Sequence, residues 1–267
     1  MNLQHGRNAT ERGLSFRVQS FPPLTGKLVA VDIDSLQEDK NTVYQAHIGI
    51  SIIDAQSLLH PSPDNLAVIE SHHLVVGSPK FERIKANRFL FGNWENVPRE
   101  DIKQHINKIL QGPETTLVFH EGGREISVLE RLDVQLSQYK VIDTTTLVRS
   151  PVHPRYTYSL EALLEELEIP FANLHSAGND AHFILRALLM LAVRYAEGQQ
   201  EANLPDWVQT AREISQAPRP LTKAEKRETT EAKRKPRKKS NKKKKRGGVP
   251  AAVTEEARGE TPGANTP

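Results

Sequence analysis

The chain has no cysteine among its 267 residues. That single absence excludes a disulfide framework, thiolate zinc sites and a cysteine nucleophile. No run of about 18 apolar residues occurs, so a membrane-spanning helix is not expected. The opening residues, Met1-Asn-Leu-Gln-His-Gly-Arg-Asn8, lack the apolar stretch of a secretory signal. An intracellular, non-secreted protein is therefore expected, and the Asn8-Ala9-Thr10 sequon reads as accidental. The glycine-rich loops Gly-x-x-x-x-Gly-Lys and Gly-x-Gly-x-x-Gly are missing, as is the His-Glu-x-x-His zinc spacing, which disfavours those nucleotide and zinc enzymes. No internal repeat is visible.

What is present is unevenly distributed. The formal net charge is +3, yet Lys223 to Arg246 hold 14 Lys/Arg against three Glu, a local charge of +11; residues 247–267 carry −2, which leaves residues 1–222 at −6. The basic character belongs to a tail and the part able to fold is mildly acidic. Such a tail suits nuclear or nucleolar import through an import receptor, or non-specific contact with RNA phosphates. It contains no aromatic residue for base stacking, so that contact should be electrostatic and salt-sensitive. A plain solvated charge run is the alternative. High charge and low hydrophobicity predict a disordered segment over residues 216–267. Residues 1–25, polar and ending near Phe21-Pro22-Pro23, read as a flexible leader, leaving 26–215 as the folded domain.

Within that domain the pattern is mixed α/β. Strands are expected over Lys27–Asp34, Val43–Ile53, Leu66–Val76, Thr115–Phe119 and Tyr139–Ile142, the first three as a meander, with a loop from Ser57 to Asn65. Apolar spacing predicts helices over Pro98–Leu110 and through Ile126, Leu129 and Leu132. Ser159 should cap a helix carrying Leu160, Leu163, Leu164 and Leu167. The stretch Ala177–Tyr195 is apolar nearly all round and should be a buried helix. A short helix around Trp207–Ile214 completes the list. The expected architecture is a mixed five-stranded sheet flanked by helices.

Three segments carry polar groups that sit oddly in this pattern. Asp32 and Asp34 interrupt a run that otherwise reads as a buried central strand, and residues i and i+2 share a face roughly 6.6 Å apart. Two such carboxylates either bind a hard cation such as Mg²⁺ or mark a strand end open to solvent. In His175-Ser-Ala-Gly-Asn-Asp180, the acid lies near the start of the long apolar helix. It either complements the helix dipole or serves a site. His175 is either a surface imidazole or a group suited to accept a proton from water. The segment His120-Glu-Gly-Gly-Arg-Glu125 follows a strand's carboxyl end, where α/β folds place ligands. Its esterase-loop reading fails for want of a Gly-x-Ser-x-Gly elbow. His47, His72, His73, His105, His153 and His182 are read as structural.

Taken in chain order, Val-Asp32-Ile-Asp34, Glu125, Tyr158-Ser-Leu-Glu-Ala-Leu-Leu and His175-x4-Asp180 resemble the DEDD exonucleases of the ribonuclease H-like fold. The His-x4-Asp spacing corresponds to their histidine-containing subclass. The chain is most similar to the fungal "good for full DEAD-box protein activity" C-terminal domain family, in which Phe89-Leu-Phe-Gly92, Ile142-Asp-Thr144 and His175-Ser-Ala-Gly-Asn-Asp-Ala181 have close counterparts. The resemblance covers about Lys27 to Arg194.

That resemblance implies a ribonuclease H-like sheet and 3′→5′ hydrolysis of RNA or single-stranded DNA, RNA being favoured, with two Mg²⁺ or Mn²⁺ ions clamping the scissile phosphate. It makes Asp32, Asp34, Glu125 and Asp180 metal ligands and His175 the residue that positions or deprotonates water. Two positions depart from the exonuclease pattern: Asp34 stands where Glu is usual and Glu125 where Asp is usual. Glu121 is a second candidate for the third acid. The departures leave a rival expectation, a catalytically degenerate adaptor that keeps the fold and binds nucleic acid or a protein partner.

Overall fold

A computed structural model describes residues 17–18, 20–40, 42–59, 68–112, 114–149, 157–199 and 204–234. Residues 1–222 form one compact unit, and 223–267 belong to a second. In chain order the first unit holds β1 (Arg17–Val18), β2 (Lys27–Asp39), β3 (Thr42–Asp54), α1 (Ala55–Leu59), β4 (Glu70–Val76), α2 (Arg83–Ala86), β5 (Glu95–Val97), α3 (Ile102–Leu110), β6 (Thr115–Phe119) and α4 (Gly123–Arg131). It continues with β7 (Lys140–Asp143), α5 (Thr144–Leu147), β8 (Val148–Arg149), α6 (Leu160–Glu166), α7 (Ala177–Gly198) and α8 (Asp206–Gln216). No helix among the described residues is long and apolar enough to cross a membrane.

The main sheet has six strands in the order β5-β4-β3-β2-β6-β7. The expected β2-β3-β4 meander is antiparallel, whereas β6 and β7 run parallel to β2 and β5 runs parallel to β4. The five-strand expectation is thus one short: β5 is a three-residue edge strand with no apolar alternation of its own, held by pairing with Leu74–Val76. The strand expected from Leu66 begins at Glu70. Of the loop expected over 57–65, residues 57–59 are helical in α1 and 60–65 lie outside the described residues.

Because β2 is central and covered on both faces, Leu28-Val-Ala-Val31 is a continuous apolar run, and the pleat sends alternate side chains to two cores. Leu28 and Ala30 join Ile53, Val118 and Ile142 beneath α1, α6, α7 and α8. Val29, Val31 and Ile33 join Ile48, Ile50, Leu117 and Phe119 beneath α3 and α4. Every residue of α7 from Ala177 to Val193 is buried, as its all-round apolar pattern predicts. Ser159 caps α6 by accepting the Ala162 N–H at 3.2 Å. Arg186, buried in the middle of α7, donates to the carbonyls of Ser215 (2.7 Å), Pro170 (3.4 Å) and Ala217, and so straps the end of α8 to the core.

Both ends of the domain differ from expectation. The leader is partly structured: β1 pairs antiparallel with β8, and Val18, Phe21 and Leu24 pack on the α7 core, an attachment set by distant partners. At the other end the attachment extends past residue 215, with Arg219 Nε donating to Phe171 O at 3.0 Å. In the second unit Lys223–Arg234 forms α9, where charge predicted no regular structure. Its Ala, Glu, Lys and Arg are strong helix formers, a propensity that net charge conceals. The rest of the Lys-rich run lies outside the described residues.

Candidate active site

Asp32 and Asp34 lie within β2, which runs on to Asp39, so neither marks the strand's end. They share the face of Leu28 and Ala30, the one covered by α7. Asp32 pairs across the sheet with Gly49 and Asp34 with His47. A register shift follows immediately after Asp34, with Ser35 at φ 54°, and the Ser35 N–H donates to Asp34 Oδ1 at 2.7 Å. Bulges of this kind re-aim side chains at a site's edge.

The first turn of α7 lies across this acid pair. Asp180 accepts the backbone N–H of Ser176, the N-cap residue, through Oδ2 at 3.1 Å. The acid therefore does satisfy a helix-end donor, as its dipole reading requires. Its other oxygen, Oδ1, is buried without a hydrogen bond, so capping accounts for half of the carboxylate. Asn179, fully buried, fixes the segment in front of the helix. It accepts the Leu90 N–H (2.9 Å) and donates to the carbonyls of Arg88 (3.0 Å) and Asn173 (2.9 Å). The phrases around Phe89–Gly92 and His175–Ala181 are thereby joined physically.

Glu125 lies in the first turn of α4 and its Oε2 is buried without a hydrogen bond. Glu121 is exposed on the preceding loop at φ 62°. Asp143 organises that loop: its carboxylate accepts the N–H groups of Glu121 (3.2 Å), Gly122 (2.9 Å) and Thr145 (3.0 Å) and the Thr145 hydroxyl (2.7 Å). Despite partial burial, those donors hold its carboxyl below the usual range. In the sequence Asp143 stands within the phrase Ile142-Asp-Thr144. Its Asp-x-Thr spacing was the available signal for an Asx-type turn.

Electrostatics joins the four acids into one cluster. The Asp32 carboxyl is pushed well above its ordinary range by burial and then by repulsion from Asp180, Glu125 and Asp34, with Arg124 opposing. Asp180 is pushed up to about 7 by burial and by Asp34, against the N–H groups of Ser176 and His175 and the charge of Arg88. Glu125 is raised chiefly by burial, opposed by its own N–H and by Arg124. Glu125 bears on Asp32, and Asp143 and Glu121 in turn raise Glu125.

Buried carboxylate oxygens without donors are costly unless a cation meets them. Among the described residues, oxygens of Glu125 and Asp180 are in that state, and Asp34 Oδ2 has only the Lys85 ammonium, at 3.4 Å. Hard oxygen donors are the ligands that Mg²⁺ and Mn²⁺ prefer. Among the described residues no three His, Asp or Glu groups stand close enough together to enclose an ion. Mg²⁺, however, is commonly held by one or two carboxylates, completed by water and substrate phosphate. The residues fit an open site of that kind.

His175 is exposed, with its backbone at φ 60° and its N–H facing the Asp180 carboxylate. The other histidines play different parts. His73 Nδ1 accepts the Gly178 N–H (3.1 Å), so its Nε2–H donates to His47 Nδ1 (3.2 Å), and His47 Nε2–H donates to Phe81 O (3.1 Å). Burial pushes His73 down to about 3 and lowers His47, consistent with two neutral rings. His182 joins Ser71 (2.9 Å), and His120 joins Thr144 (2.8 Å) and Tyr158 O (2.9 Å). His153 lies outside the described residues.

The α/β domain thus carries an acid pair on β2, one acid in the first turn of α4, one in the first turn of α7 and a histidine on the loop before α7. The model of the family DEDDh_C, described as DNA polymerase III subunit epsilon-like, C-terminal domain, matches residues 27–191, and the chain belongs to that family. It is thereby related, distantly, to the DEDDh 3′→5′ exonucleases. No curated protein matches it by sequence. Among solved structures it is similar to Escherichia coli exonuclease I in complex with a dT13 oligonucleotide (12% identity, TM-score 0.43, 66% of this chain and 42% of that one). It is also similar to exonuclease I from Methylocaldum szegediense (14% identity, TM-score 0.40, 66% and 41%). The likeness thus spans about two fifths of those longer chains.

Proposed function

We propose that the chain is a metal-dependent 3′→5′ exonuclease-like protein that hydrolyses phosphodiester bonds of RNA or single-stranded DNA, with RNA favoured. One observation carries this reading: acids from β2, α4 and α7 (Asp34, Glu125 and Asp180) all bear on the buried Asp32 inside a domain of the DEDDh_C family. Asp32, Asp34, Glu125 and Asp180 would hold Mg²⁺ or Mn²⁺, two ions in the full site. A bound ion supplies Lewis-acid stabilisation of the phosphate and a more acidic water. His175, at the exposed end of the loop, would position a water or take its proton. The N–H groups of Ser176 and His175 hold Asp180 in place. The finer placement beside the fungal "good for full DEAD-box protein activity" C-terminal domains rests on the phrases at 89–92, 142–144 and 175–181. The Lys-rich tail supports a nuclear or nucleolar location, with the cytoplasm as alternative, and an import receptor as partner.

The test is degradation of 5′-labelled single-stranded RNA and DNA in Mn²⁺ by the full chain and by Asp32→Ala and Asp180→Ala. A ladder shortening from the 3′ end, at least about 100-fold slower in both variants, is expected. Equal activity in all three proteins would overturn the assignment.

The exchanged acids at 34 and 125 favour a second reading, a catalytically degenerate adaptor that keeps the fold and binds nucleic acid or a protein partner. It predicts metal-independent RNA binding that is largely lost on deleting residues 223–246. Binding that survives the deletion and requires Mg²⁺ counts against it.

A further inference from the structure

Lys85 lies on α2, 51 residues from Asp34 in sequence. Its ammonium nevertheless stands 3.4 Å from Asp34 Oδ2 and 3.5 Å from Oδ1, and it donates to Ser35 Oγ at 3.0 Å. An exposed lysine pair is ordinarily loose and worth little. This one is only 34% exposed, against 25% for Asp34, and its backbone is pinned. The carbonyl of Lys85 accepts the Ser176 hydroxyl at 3.4 Å. Three residues on, the Arg88 carbonyl accepts both Asn173 and Asn179 at 3.0 Å, and the Arg88 guanidinium donates to Leu174 O at 3.0 Å. The segment carrying Lys85 is therefore fastened to the N-terminus of α7, the element that carries Asp180. Among the described residues no other acid of the cluster has an ion pair within 4.0 Å.

Resting on the reading of these acids as a metal site, we infer that the Lys85 ammonium is a built-in cation that holds the Asp34 side of the cluster. The chain then binds one divalent ion fewer than its four carboxylates allow. An ammonium straddling both oxygens of one carboxylate leaves no approach for a second positive charge at the same oxygens, because like charges at contact distance repel strongly away from bulk water. Lys85 thus supplies fixed positive charge where an exchangeable ion would otherwise stand. Among the described residues Asp32, Glu125 and Asp180 have no ion pair within 4.0 Å, so an ion held by one or two of these carboxylates and completed by water is still accommodated.

The experiment counts bound Mn²⁺ on the full-length chain and on Lys85→Met and Lys85→Gln, by isothermal titration and by the electron paramagnetic resonance signal of free Mn²⁺, without substrate. Lys85→Met keeps the aliphatic stem, and an unchanged melting temperature confirms that each variant is folded. Both variants are expected to gain one bound ion per chain over the parent, and adding Asp34→Asn to Lys85→Met should remove that ion. Equal, non-zero counts in parent and variants overturn the role of Lys85 and leave the metal site standing. No ion in any of the proteins overturns both. A gain that persists in the double variant also overturns the inference, since the added ion is then elsewhere.

Discussion

The carbonyl of Ala177 lies so close over Gly49 that a Cβ at residue 49 would sit 1.8 Å from its oxygen. Gly49 is also the cross-strand partner of Asp32. The missing side chain therefore sets the height of the α7 N-terminus above the acid pair. Gly49→Ala meets backbone rather than a movable side chain, so the helix end must lift. We expect a loss of about 3 kcal/mol in stability, at the upper end for overpacking, together with weaker Mn²⁺ binding because Asp180 retreats from Asp32. Thermal melts and Mn²⁺ calorimetry read the two effects.

Asp32→Asn should separate stability from function. The carboxyl is destabilised in its charged form by burial and by three acidic neighbours. Replacing it with a neutral isostere should raise metal-free stability at pH 8 by about 1–3 kcal/mol. The same change should weaken Mn²⁺ binding by at least about tenfold. A variant that melts lower than the parent without metal would contradict the proposed repulsion.

Stability should depend on pH through Asp180. Its folded value near 7 lies above the ordinary 3.8, so the folded state holds the proton more tightly than the unfolded state. That contribution is fully present below about pH 4 and is lost as pH rises towards 7, at up to about 1.4 kcal/mol per unit. His73, depressed to about 3, acts oppositely and removes stability as pH falls from 6.5. Comparing metal-free parent with Asp180→Asn isolates the acid: the parent should lose ground to the variant between pH 4 and 7. Mg²⁺ should restore the parent at pH 8 and leave the variant unmoved.

Asn179→Ala removes three hydrogen bonds from a residue with no exposure. At about 1 kcal/mol each, the cost is about 3 kcal/mol. Hydrogen exchange should quicken most at Leu90, whose N–H loses its acceptor. Uniform quickening over the whole domain would show that Asn179 does not specifically hold the segment carrying Arg88 and Leu90.

Much of the fold was legible locally. Thr115–Phe119 is the strand its β-branched residues predict, Ser159 caps α6, and the apolar run after Asn179 is a buried helix. These features depend on neighbours a few residues away, through propensity, capping and periodicity. Features whose cause is distant were hidden. β5 exists because an edge of β4 is there to pair with, and β1 because β8 is. β2 extends through polar residues to Asp39 because β3 pairs alongside it beyond a bulge.

The candidate site divides in the same way. Local pattern alone marks the anomalous groups: an acid pair in an apolar strand, an acid at the head of an apolar helix and two acids after a strand, since each is a conflict between a residue and its own surroundings in the chain. Long-range packing is what puts Asp32 and Asp34 mid-strand facing α7, brings Glu125 to bear on Asp32 and stands Lys85 on Asp34. The physical reason is that secondary structure follows from interactions along the chain, whereas the field at a carboxylate is set by whatever charges the fold brings within a few ångströms, and sequence separation does not encode that distance.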